Sequence, residues 1–227
     1  MLVYGKNVLE EVLKRNININ KIYMQDSFDN DIKNKLIKYN PFIMKKKDMD
    51  RKFFFAHQGI VLDIEDYKYV NINNYEFDNS LVVMLDHIED PHNFGAIIRT
   101  CEAAGVDLII IPDKRSVDVN STVIKTSVGT AFNVKIAKVS NLVNTINMLK
   151  KKGFWLVGTD MEGTNYDTID YKGNTCIIVG NEGSGMSRLV CDNCDFIATI
   201  PMEGEVNSLN ASVATAIVVF EAVKCRR

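Results

Sequence analysis

The sequence predicts an α/β protein in which a parallel sheet covered by helices follows a small α/β module. Three observations predict it. From residue 81 onward, short apolar runs alternate with stretches of helical period. Residues 1–65 carry short strands and helices of their own. Between them, Asp66 to Ser80 is polar, Asn-rich and nearly free of long apolar runs, as a linker would be. The expected division is therefore 1–65, 66–80 and 81–227.

In the first module, Val3, Val8, Val12 and Leu13 recur at helical spacing and predict a helix over residues 1–15. Lys21 to Met24 reads as a strand, and Asp31 to Tyr39 as a helix stopped by Pro41. Phe42 to Met44 is a second strand, Lys45 to Lys47 opens a polar helix or loop, and Ile60 to Leu62 is a closing strand. Beyond the linker, strands are predicted at 81–85, 108–111, 134–136, 154–157, 176–179 and 196–200. Helices are predicted at 93–104, 119–126, 141–151 and 210–224. Ligands of such sheets sit at the carboxyl ends of the strands.

Composition narrows the function. The longest apolar runs, such as Ala214 to Phe220, are far too short to span a bilayer, and no signal peptide is legible, so a cytoplasmic protein is expected. The five cysteines show no disulfide framework. Cys191 and Cys194 form a CxxC pair, which supplies only two of the four ligands a structural zinc needs, so no metal is expected. A net charge of −2 argues against a protein that coats nucleic acid by charge alone. The charge is uneven, however: residues 1–70 hold 13 Lys/Arg against 10 Asp/Glu, and residues 71–227 hold 14 against 19. The first third is the more basic face.

Three segments carry chemistry, each after a strand end. Asp86-His-Ile-Glu-Asp-Pro-His-Asn-Phe-Gly-Ala-Ile-Ile-Arg99 is a Pro-rigidified turn running into a helix. Asn93 stands near the helix start, where capping residues sit, and Arg99 less than two turns on. Gly180-Asn-Glu-Gly-Ser-Gly-Met186 is Gly-rich but lacks dinucleotide spacing and the Lys-Ser/Thr of a phosphate loop. Glu182 within it would repel a polyphosphate and tolerate a cation such as a sulfonium. Ile200-Pro-Met-Glu-Gly-Glu-Val-Asn-Ser-Leu-Asn-Ala-Ser212 leads into an Ala- and Val-rich helix, with Ser208 and Asn210 as caps. Taken singly, each is also what a tight turn or a capped helix looks like.

In this order, over residues 81 to about 223, the three segments resemble the signature of the SpoU/TrmH (SPOUT) family of RNA ribose methyltransferases. Tyr4-Gly5 and His57-Gln-Gly59 resemble the substrate-binding module of its bacterial 23S rRNA guanosine 2′-O-methyltransferases. Phe94 and Asn181 depart from the usual pattern without removing a functional group, and Val128 and Thr130 stand where the family usually has Ala, which bears on packing there. The resemblance implies a trefoil knot, against the general rarity of knots, and a homodimer with the active site at its interface. It implies S-adenosylmethionine as cofactor, held by Gly180, Gly183, Ile200 and Leu209 with Thr159 and Glu182 close by. Arg99 is the implied central catalytic residue, supported by Asn93, Glu182, Ser208 and Asn210.

A guanidinium rarely gives up its proton, so Arg99 is read as orienting phosphate and attacking oxygen. RNA choice is assigned to the basic module through Lys45, Lys46, Lys47, Arg51 and Lys52, although such a run can also be a solvated face. In the last helix Ala214, Ile217, Val218, Phe220 and Val223 span more than one core face requires, as a dimer contact would. The alternatives are a tRNA ribose methyltransferase, a catalytically silent RNA-binding protein of the same fold, and an unrelated doubly wound nucleotide-binding enzyme. The last would need a phosphate loop near its first strand, and none is there.

Overall fold

The computed structural model describes residues 1–227. Its first sheet contains β1 (Leu2–Tyr4), β2 (Ile19–Gln25), β3 (Phe42–Met44) and β4 (Ile60–Ile64) in the order β1-β4-β2-β3. Around it lie α1 (Lys6–Lys14), α2 (Asn30–Leu36) and α3 (Lys46–Lys52). One expectation changes. Residues 1–15 are not one helix, because Leu2–Tyr4 pairs antiparallel with Val61–Asp63 and Gly5, at φ 104°, breaks the chain before α1. Only glycine takes that conformation readily. The strand that closes the module, at Ile60, lies inside the sheet between β1 and β2.

The second sheet contains β5 (Leu81–Asp86), β6 (Leu108–Pro112), β7 (Ile136–Val139), β8 (Trp155–Asn165), β9 (Thr175–Gly180) and β10 (Phe196–Thr199). Its order is β10-β8-β9-β5-β6-β7 and every pairing is parallel. The helices are α4 (Pro91–Ala104), α5 (Ser121–Thr126), α6 (Leu142–Lys151), α7 (Arg188–Cys191) and α8 (Ala211–Cys225). Every residue of β5 and of β9 is buried, which is why these strands read as unbroken apolar runs. On β5, Leu81, Val83 and Leu85 belong to the core with α4, α5 and α8. Val82 and Met84 belong to the opposite core with α6. Period-two alternation thus builds both faces from one strand.

Three boundaries differ from the sequence reading. The strand expected at 134–136 forms at Ile136–Val139, the Val134 carbonyl being taken by the Tyr67 hydroxyl. Strand β8 runs on to Asn165 through exposed polar residues that carry no strand pattern. The short helix α7 was not expected. The Asn-rich stretch 66–80 lies along the β7 edge: Val70 donates to the Ile136 carbonyl at 2.9 Å, Ile72 is buried, and the Tyr69 hydroxyl accepts from Val119 N–H at 2.9 Å.

The two sheets share one contiguous apolar core, to which Val8 and Val12 of α1 and Ile124 and Ala131 of the second unit all belong. At its rim, Lys125 of α5 donates to Gln58 Oε1 at 2.8 Å. A Cβ on Gly5 would come within 2.3 Å of Lys125 Nζ. Tyr4-Gly5 and His57-Gln-Gly59, distant in sequence, thus meet against the second unit. Val128 holds φ 59° just before Gly129 at φ 86°, an uncommon state for a β-branched residue.

Candidate active site

Beside the middle of β8 and the carboxyl ends of β9 and β10 a cavity of about 800 Å³ opens. Three pieces of chain make it. The loop after β9 folds back on itself, with Asn181 and Gly185 exchanging backbone hydrogen bonds of 3.1 and 2.8 Å. A Cβ at Gly180 would lie 2.2 Å from Gly185 C and Met186 N, so only glycine permits this approach. The second piece is the segment after Gly158, which bows outward. Pairing of β10 with β8 jumps from Ile197–Gly158 to Ala198–Thr164, leaving Thr159 to Glu162 on the cavity wall. The third is the loop from Ile200 to Leu209.

All six residues expected to hold a cofactor, Thr159, Gly180, Glu182, Gly183, Ile200 and Leu209, line this cavity, as does Ser208. Its ionisable lining is wholly acidic: Asp160, Glu162 and Glu182, with no lysine, arginine or histidine. Such a site disfavours a polyphosphate and suits a cation. A lining that combines glycine backbone, aliphatic Ile200 and Leu209, and carboxylates fits a ligand with a flat apolar base and a sulfonium.

On the rim, Asn210 Nδ2 donates to Asn93 Oδ1 at 2.9 Å, and Asn93 Nδ2 donates to Glu182 Oε1. Three expected catalytic residues, from three separate segments, are therefore one hydrogen-bonded chain. Asn210 also caps α8, accepting from Ser212 N–H at 2.9 Å. The capping assignments need two corrections. Asp90, not Asn93, caps α4, accepting from the N–H groups of His92 and Asn93 at 3.1 and 3.2 Å. Pro91 then takes the first helical position, where its missing donor is harmless. Ser208 makes no capping bond. Arg99 is exposed on α4, makes no hydrogen bond or ion pair within the chain and does not line the cavity. Gly95 is explained by packing: a Cβ there would meet Thr126 Cβ at 2.6 Å, so it lets α4 approach α5.

Residues that the sequence reading includes in its segments without giving them a role hold these loops. Asp86, 1% exposed at the end of β5, accepts from Ser187 N–H at 2.6 Å and lies 2.5 Å from His87 Nδ1. His87 takes φ 62° and its carbonyl accepts from Asn181 Nδ2 at 2.9 Å. A carboxylate ending an apolar strand was the available signal for Asp86.

Lys45, Lys46, Lys47, Arg51 and Lys52 are exposed on and beside α3 and none lines the cavity. Burial pushes the Cys194 thiol up to about 12, and Cys191 is raised by the same cause. These are poor nucleophiles. No group of three or more His, Cys, Asp or Glu is placed to hold a metal ion, and no helix is long and apolar enough to cross a membrane.

Comparison with known proteins decides the family. Residues 80–220 match the model of the SpoU rRNA methylase family, and residues 2–70 match that of RNA 2′-O ribose methyltransferase substrate binding. The chain belongs to the SpoU methylase family. As a member it is an RNA methyltransferase that uses S-adenosylmethionine. Relatives named as TrmH-family tRNA/rRNA methyltransferases include one from Staphylococcus saprophyticus, 39% identical over 100% of this chain and 96% of its own. One from Staphylococcus aureus is 38% identical over 99% and 96%. Among solved structures, the AdoMet-bound rRNA methyltransferase of Sinorhizobium meliloti superposes with a TM-score of 0.83 at 26% identity, covering 98% of this chain and 86% of that one. The SpoU methyltransferase AviRb of Streptomyces viridochromogenes, in complex with AdoMet, shares the fold with a TM-score of 0.84 at 22% identity, covering 99% and 89%. The acid-lined cavity of this SpoU-family enzyme suits that cofactor on its own chemistry.

Proposed function

We propose that this enzyme methylates a ribose 2′-hydroxyl of RNA, at a guanosine of 23S rRNA. The observation that carries the reading is the Asn210–Asn93–Glu182 chain on the rim of the acid-lined cavity. It fixes polar groups beside the place where a methyl donor fits. Bound there, S-adenosylmethionine supplies the methyl group from its sulfonium. Gly180, Gly183, Ile200 and Leu209 cradle the cofactor, with Thr159 and Glu182 beside it. Asn93 and Asn210 set the ribose, and Ser208 adds a hydroxyl at the mouth. Arg99, unpaired within the chain, grips the neighbouring phosphate and orients the attacking oxygen, because a guanidinium keeps its proton. Orientation then supplies much of the rate.

A ribosomal target is favoured over transfer RNA by extent of match. The Sinorhizobium rRNA methyltransferase covers 98% of this chain, whereas the Aquifex aeolicus TrmH/SpoU tRNA modifying enzyme, 35% identical with a TM-score of 0.60, covers 65%. Residues 1–65 thus form the RNA-selecting unit, Lys45, Lys46, Lys47, Arg51 and Lys52 its phosphate contacts, and 81–227 the knotted catalytic unit. Five unpaired cysteines suit the reducing cytoplasm. The deciding experiment maps 2′-O-methylation across ribosomal and transfer RNA from cells with and without the gene. One guanosine of 23S rRNA loses its mark in the deletion; loss at a tRNA position overturns the ribosomal assignment.

We further propose a homodimer through α8. Phe220 is 48% exposed and Val213 46% on a helix whose other face is already buried against α4, a surface that calls for a partner. Light scattering at micromolar concentration gives twice the chain mass, and Phe220→Glu shifts it toward the monomer. A wild-type monomer contradicts the arrangement.

A further inference from the structure

The small sheet ends in a strand that leaves apolar side chains in water. Strand β3 lies at the edge, where chains ordinarily place charge or proline to prevent association. Here the ring of Phe42 is 54% exposed, and Ile43 beside it is 50% exposed. Phe42 is the outermost of a row of rings. It meets Tyr23 edge-on at 6.1 Å, Tyr23 meets Phe53 at 5.1 Å, and Phe53 meets Phe55 at 5.8 Å. The inner rings hold α3 on the sheet and explain themselves as core. Phe42 does not, nor does Phe54, which is 91% exposed on the same segment as Phe53 and Phe55.

Cations lie over Phe42 and the rings behind it, while Phe54 projects freely into solvent from the same short segment as Phe53. Lys21 Nζ lies 5.5 Å from the Phe42 centroid and 5.0 Å from Tyr23, and Lys52 Nζ lies 4.3 Å from Tyr23. Lys46, Lys47 and Arg51 stand exposed on α3, and Lys45 just before it. Against them α3 carries Asp48 and Asp50, and Asp50 is engaged with the buried His57 at 2.9 Å. A protein-binding core is depleted in lysine. Exposed rings with an excess of flexible ammonium groups instead match the two halves of a nucleotide, base on ring and phosphate on cation.

We propose that Phe42 and Phe54, with Lys21 and Lys52, form a stacking platform for unpaired bases of the RNA substrate. This rests on the RNA reading above and adds a chemical preference to it. The enzyme recognises an open loop or a splayed base at this module, rather than duplex shape alone.

The test uses the full-length protein with two probes, a 12-nucleotide single-stranded RNA and a blunt RNA duplex of equal length. Binding is followed by fluorescence anisotropy at several salt concentrations. Phe54→Ala and Phe42→Ala each weaken single-strand binding about ten-fold, the size of one lost base–ring stack. Phe42→Trp restores it. Neither alanine changes the slope against salt, because no phosphate contact is removed, whereas Lys21→Gln with Lys52→Gln flattens it. Duplex binding is unchanged by the alanines. Phe54, almost wholly in solvent, can be removed without disturbing packing, so an unfolded Phe42→Ala does not rescue a failed result. Single-strand affinity unchanged in Phe54→Ala, or an equal loss on duplex, overturns the platform while leaving the RNA reading intact. A wild type that binds neither probe overturns both.

Discussion

Arg99→Ala lowers the single-turnover rate of methyl transfer by about 10²–10³-fold, the loss typical of one preorganised charge-stabilising group, while S-adenosylmethionine affinity stays within about two-fold. The reasoning rests on placement. Arg99 makes no bond within the chain and does not line the cavity. Its removal therefore disturbs neither the fold nor the cofactor cradle, only what the RNA meets. Arg99→Lys does not restore the rate, since a point charge cannot reproduce a planar fork that grips phosphate and hydroxyl together. Neutralising Lys45, Lys46 and Lys47 on the exposed surface of the small module has the opposite profile. RNA binding weakens and its dependence on salt flattens, by about two units of slope for three lost phosphate contacts. Transfer at saturating RNA is nearly normal. Single-turnover and binding measurements on both variants separate the roles. If the triple lysine variant lost the chemical rate while Arg99→Ala kept it, both assignments would be wrong.

Gly180→Ala weakens cofactor binding severely. The added methyl would sit 2.2 Å from backbone atoms of Gly185 and Met186, and neither can rotate away as a side chain could. Overpacking of this kind costs about 1–3 kcal/mol, taken directly from the conformation that cradles the cofactor. Calorimetry with S-adenosylmethionine shows affinity reduced on the order of 100-fold, with a lowered melting temperature. Lys172→Ala, exposed and outside the cavity lining, is the control. Equal affinity in the two variants would mean that the loop is not held as described.

What the sequence could show depended on how local the signal was. Strands β5, β6 and β9 were legible because burial on both faces leaves unbroken apolar runs. The three glycine- and asparagine-bearing segments were legible because their chemistry is compressed into a few residues. Strand β1 was not, since Val3, Val8 and Val12 satisfy helical spacing while β1 is created by pairing with residues near 62. The extension of β8 to Asn165 depends on β10, more than thirty residues on. Within the site, the cradle was visible in its glycines. The roles of Asp86 and Asn181 are not legible within their segments because their partners, Ser187 and the His87 carbonyl, are 101 and 94 residues away. The hydrogen-bonded link of Asn210 to Asn93 spans 117 residues and is a fact of folding alone.

The stretch along the β7 edge bears on how the chain can be divided. A fragment starting at residue 76 would contain the whole second sheet, yet it would leave behind Val70, which bonds to Ile136, and Ile72, which is buried against that edge. It would bare the Ile136 carbonyl and the apolar side chains packed with Ile72, on an edge strand open to addition by another copy. A fragment starting at residue 66 keeps the strap and seals its own edge. The polar, asparagine-rich look of residues 66–80 therefore marks a selvedge woven onto the second sheet, and a cut made within it frays the half that carries the chemistry.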